Sequence, residues 1–148
     1  MPGEAHQKHV TLAHLAAEGA GVPRIAETAL MTWRQIDVTL SPILGQRGVA
    51  ALYKRSLYLT RTDHPWLAEV YEGALPLGEF TSLHTAMSQQ TSIVAADGND
   101  ALLKTFCDLL ADLIGGTLTE RLLRSVWDKL SSGDAVLTSG DAVPETSR

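Results

Sequence analysis

Arg47, Lys54 and Arg61 stand seven residues apart, two helical turns at each step, so a helix through them aligns three cations on one face. With Arg55 they are the only charged residues between positions 38 and 62, a net +4. The stretch 63–118 answers with eight acids against Lys104 alone, a net −7. Cations at helical spacing can solvate themselves opposite an acidic region, or they can receive an acidic partner or a phosphate group. The overall charge of −5 opposes long polyanions and argues against nucleic acid. The partner-binding residues expected from this pattern are Arg47, Lys54, Arg55 and Arg61, with Trp127 as an aromatic anchor from a later helix.

Five histidines offer a second chemistry. His6, His9 and His14 lack ligand spacing on a helix face and no carboxylate pattern joins them, so no metal site is expected. His64 precedes Pro65 and reads as a capping or loop residue. His84 lies in "SLHTAMSQQ", where a lone helical histidine can accept a phosphoryl group, ligate haem or line a wet face. "HTAMS" is similar to the phosphotransfer-domain pattern of histidine followed by lysine and glycine. Met87 and Ser88 occupy those two positions, so no role passes to His84 from the resemblance. Length and helix count are also compatible with a globin holding haem through His84 or His64, although no phenylalanine stands ready for a haem-packing corner.

Covalent catalysis finds little footing. The chain has no glycine-flanked nucleophile, no phosphate-cradling loop and no acid–histidine metal motif. Cys107 is the single cysteine, which excludes an intramolecular disulfide and fits a reducing cytoplasm; on an apolar helix face it should be an inert thiol. No apolar run reaches the roughly 18 residues that span a bilayer, and the N-terminal stretch lacks the apolar centre of a secretory signal.

The elements that must position these residues are helices. With 148 residues, 45% hydrophobic, 20% charged and only 5% aromatic, the chain should fold as one all-α domain. The expected architecture is a helical bundle of about five to seven helices ending in a tight antiparallel pair. Residues 1–21 read as a flexible arm with a short helix, 22–131 as the bundle, and 132–148, small and polar, as a disordered tail.

Ile25, Ala29, Trp33, Ile36 and Leu40 fall at steps of 4, 4, 3 and 4, one buried helix stripe. Ser41-Pro42 should start a new helix carrying Val49, Leu52, Tyr53, Ser56 and Leu57 inward. A short segment from Pro65 presents Leu67, Val70, Tyr71 and Ala74 on one side. A further pattern from Phe80 through Leu83, Met87 and Val94 should stop at "DGN", residues 97–99, with Asn99 or Asp100 capping the next helix. That helix bears a broad face from Leu102 to Ile114. Gly115-Gly116 should turn the chain, and Thr117 with Glu120 should form a capping box before Leu118, Leu122, Leu123, Val126, Trp127 and Leu130.

These features are those of a non-enzymatic regulatory or sensory module of bacterial signalling, working through protein–protein contacts with an acidic partner and without a cofactor. The broad apolar faces of the last two helices predict a homodimer. The alternatives are a small-ligand sensor enclosing haem between helices, or a divergent phosphotransfer domain.

Overall fold

The computed structural model describes residues 12–73 and 77–140, with side chains as far as Ser131. Among the described residues every regular element is a helix: α1 (Leu12–Ala17), α2 (Val22–Thr60), α3 (Leu67–Glu72), α4 (Thr81–Ser88), α5 (Ser92–Ile114) and α6 (Gly116–Gly140). The chain is thus an all-α bundle, as its composition and periodicity require. α2 and α5 are the central pair; α1 and α6 pack on both, α4 packs on α2, and α3 bridges α2 and α4. None of the described helices is long and apolar enough to cross a membrane.

The stripe of α2 is buried throughout, from Ile25 to Leu40, and Trp33 at its middle organises the core. Its ring meets Tyr53 at 5.2 Å, Phe106 at 5.2 Å and Phe80 at 5.9 Å between centroids, so both phenylalanines of the chain converge on one tryptophan. Edge-on and stacked pairs of this kind contribute about 0.5–1.5 kcal/mol each beyond the area they bury. The indole N–H, which would be costly to bury unpaired, donates to Asn99 Oδ1 at 2.9 Å.

The break in α2 comes later than Ser41-Pro42. Ser41 spends its hydroxyl on the Asp37 carboxylate (3.2 Å) rather than on capping a new helix. Pro42 lies inside the last turns of the first segment, and the chain leaves helical geometry at Gly45, with φ 80° and ψ 155°. No atom crowds a Cβ built there, so the backbone conformation alone is what calls for glycine.

The expected stop at "DGN" is also overturned. α4 ends at Ser88, Thr91 caps α5 by accepting from Val94 N–H at 3.2 Å, and residues 97–99 lie within the helix. Turn propensity loses here because Gly98, Asn99 and Asp100 each have a tertiary partner. The Trp66 ring packs closely on Gly98, Asn99 holds Trp33, and Asp100 accepts from the amides of Leu12 (3.3 Å) and Ala13 (2.9 Å). Val94, expected on the inner face, is exposed.

Those two bonds to Asp100 supply the first turn of α1 with a cap drawn from another helix. α1 buries Leu12 and Leu15 against the core and ends in a Schellman turn. Gly19 adopts φ 94°, while Gly19 N–H donates to Ala16 O and Ala20 N–H to Leu15 O, both at 3.0 Å. Of the residues read as an arm, 1–11, including His6 and His9, lie outside the described residues.

Gly115, at φ 93°, ends α5 and turns the chain into α6, which packs back on α5 and α2. Helical bonding begins at once, with Thr119 N–H donating to Gly115 O at 3.1 Å. Thr117 therefore lies inside α6 and forms no capping box; Glu120 instead faces Arg124 at 3.8 Å. Leu123 and Val126 reach the core, whereas Leu113 and Leu118 stand exposed on either side of the corner. α6 continues to Gly140, into the stretch read as a tail; residues 141–148 lie outside the description.

Candidate functional site

After Gly45, α2 turns Val49, Tyr53 and Leu57 into the core, which leaves Arg47, Lys54, Arg55 and Tyr58 on the outer side. Arg61, half-buried, caps the helix end, donating its backbone N–H to Leu57 O. Tyr58 stands four residues after Lys54 and three before Arg61, the spacing at which side chains on a helix meet. α3 then places Tyr71 beside it, with ring centroids 5.6 Å apart.

Three cations settle on these two rings. Arg61 Cζ lies 4.2 Å from the Tyr58 centroid and 5.9 Å from that of Tyr71. Lys54 Nζ stands 5.8 Å over Tyr71, and Arg55 Cζ 5.4 Å over Tyr58. Each such contact contributes about 0.5–1 kcal/mol at an exposed position. The charges themselves are left uncompensated. Among the described residues no carboxylate forms an ion pair with Arg47, Lys54, Arg55 or Arg61, and Arg61 Nε is buried without an acceptor. Two like charges about 7 Å apart in water repel by about 0.6 kcal/mol, so the rings offset a repulsion that an incoming anion would turn into attraction.

The seven-residue spacing thus located the face, and the structure joins Lys54, Arg55 and Arg61 into one cluster. Arg47 is exposed two turns earlier, nearer the break at Gly45. Trp127 is half-buried on α6 and packs against the core. The two tyrosines escaped the sequence reading. Tyr58 was within reach, being i+4 from Lys54, whereas Tyr71 was assigned with Leu67 and Val70 to the inner side of α3, and its partnership depends on tertiary packing.

The histidines are dispersed over separate elements. His84 Nε2 lies 3.6 Å from Glu27 Oε1 across α4 and α2. His64 is half-buried in the turn after α2, where its amide donates to Thr60 O and its carbonyl accepts from Leu67 N–H. His14 pairs with Glu18 at 2.9 Å on α1. Among the described residues no three acids, histidines or cysteines gather as metal ligands.

Burial pushes the Cys107 thiol up to about 12, reinforced by Asp108 and opposed by Lys104, so near neutral pH it is held as the thiol rather than the nucleophilic thiolate. A cleft of about 290 Å³ between α3 and α4 is lined by Glu69, Thr81, Ser82, Thr85 and Gln89 over Val70 and Ala86, and by no histidine. Between α2 and the residues leading into α4 a second, partly open space of about 10 Å³ brings together Asp37, Tyr53 and Glu79. The Tyr53 hydroxyl is buried there without a partner, and burial raises its pKa. Comparison of the chain with protein-family models, with curated proteins and with solved structures finds no match.

Proposed function

We propose that this helical domain is a non-enzymatic regulatory or sensory module that binds an acidic segment of a protein partner through the face formed by Lys54, Arg55, Tyr58, Arg61 and Tyr71. The observation that carries this reading is the cation cluster itself: three positive groups braced on two rings, with no carboxylate pairing them among the described residues. Bracing matters because a long cationic side chain loses rotamer freedom when it binds, and one already laid on a ring loses less. The acidic remainder of the chain adds selectivity, repelling a partner that approaches elsewhere.

Fluorescence anisotropy with labelled hexaglutamate tests the reading. The wild-type chain should bind in low salt and release the peptide as ionic strength rises. Reversing the cluster (K54E, R55E and R61E together) should abolish binding, while reversing three exposed cations elsewhere, Arg24 at the start of α2 with Arg121 and Lys129 on α6, should not. Equal loss in both sets would reduce the effect to net charge and remove the proposal.

A further inference from the structure

We infer that the anion this cluster is built to receive is a phosphate monoester carried on the partner, as a phosphorylated serine or threonine side chain; the inference rests on the docking reading above and narrows it. Arg61 is the hub. It shares the Tyr58 ring with Arg55 and the Tyr71 ring with Lys54, and the rings are themselves 5.6 Å apart, so all three charges belong to one small patch. A carboxylate brings one negative charge and two oxygens, which two of the three cations already satisfy. A phosphate monoester brings about −1.5 to −2 and three acceptor oxygens, enough to engage two guanidinium forks and an ammonium together.

The same geometry argues against larger anions. The chain's own cations lie over the faces of Tyr58 and Tyr71, so a nucleic-acid base would find those stacking faces occupied. A polynucleotide or an anionic membrane would also bring many charges within a Debye length, about 8 Å, of a protein whose net charge is −5. A single phosphate on a peptide has a footprint that fits the patch alone. Arg47, about 10 Å further along the helix, is left for an acidic residue flanking the phosphorylated one.

The test uses the full chain and three labelled ten-residue Gly/Ala peptides identical except for a central serine, glutamate or phosphoserine. Inorganic phosphate and phosphatidylserine vesicles are run alongside. The phosphoserine peptide should bind at least about tenfold more tightly than the glutamate peptide, a difference well within the reach of one additional charge-assisted contact. The serine peptide should not bind. R61K and, separately, R55K keep the charge but lose the fork and should bring phosphopeptide affinity down to the glutamate level. Arg55 is exposed, so its variant tests the idea even if R61K melts early.

Equal affinity for the phosphoserine and glutamate peptides would overturn the phosphate inference and leave acidic docking intact. Failure of every peptide and of hexaglutamate would remove both. Free phosphate or vesicles binding as tightly as the phosphopeptide would overturn a peptide as the source.

Discussion

Replacing Gly98 with alanine should destabilise the fold, although Gly98 lies inside a helix, where that exchange ordinarily helps. The methyl group favours the helix by up to about 1 kcal/mol. Against this, a Cβ at Gly98 would sit 2.8 Å from Trp66 Cε2, 3.0 Å from Nε1 and closer still to Cζ2. Ordinary carbon contacts need about 3.5 Å or more, so the ring must retreat by roughly 1 Å, and overpacking of this kind costs about 1–3 kcal/mol.

One effect limits the loss. Trp66 Nε1 is buried without an acceptor, and a ring pushed outward returns that N–H to water. The net expectation is a loss of about 1–2 kcal/mol, or roughly 3–6 °C in Tm for a chain of this size. Urea melts of the wild type, G98A, W66A and the double variant form the appropriate cycle. With the indole gone, the same methyl should stabilise, by about 0.5–1 kcal/mol. Stabilisation by G98A in both backgrounds would show that Trp66 does not lie on Gly98 and would remove the explanation for an uninterrupted α5.

Gly115→Ala should lower stability by about 1 kcal/mol because φ 93° is costly for an L-residue, while Gly116→Ala, with open space and a helical backbone, should not; indistinguishable thermal melts would refute the corner as drawn. Asp100 gives a pH-dependent signature: burial raises its carboxyl above the ordinary 3.8, outweighing the two α1 amides that lower it. A raised folded-state pKa means stability that is full below the unfolded value and lost as pH rises through the folded one. Wild type should therefore gain on Asp100→Asn between about pH 7 and about pH 4 in paired urea melts, and a constant difference would contradict the assignment.

Much of this architecture was legible because one-dimensional spacing mirrors burial. The steps from Ile25 to Leu40 and the seven-residue ladder from Arg47 to Arg61 each reappear as a face of α2. What misled were residues whose local preference is outvoted from afar. Asp97-Gly98-Asn99 has turn composition, yet Gly98 answers to Trp66 and Asn99 to Trp33, 66 residues away. Ser41 has the composition of a cap, yet its hydroxyl turns back to Asp37. The candidate site was half visible for the same reason: its cations follow a helical period, whereas the second ring arrives from another element.

The Asp100 cap on α1 also sets an order of assembly. Its hydrogen bonds join residues 87 and 88 positions apart, so α1 receives its N-terminal partner only after α2, α3, α4 and the start of α5 have been synthesised. The cationic face closes instead over residues 54–71, a short loop with a small entropic cost. A nascent chain can thus expose a finished cationic patch while α1 still waits to dock, so the order in which these two parts mature reverses their order along the chain.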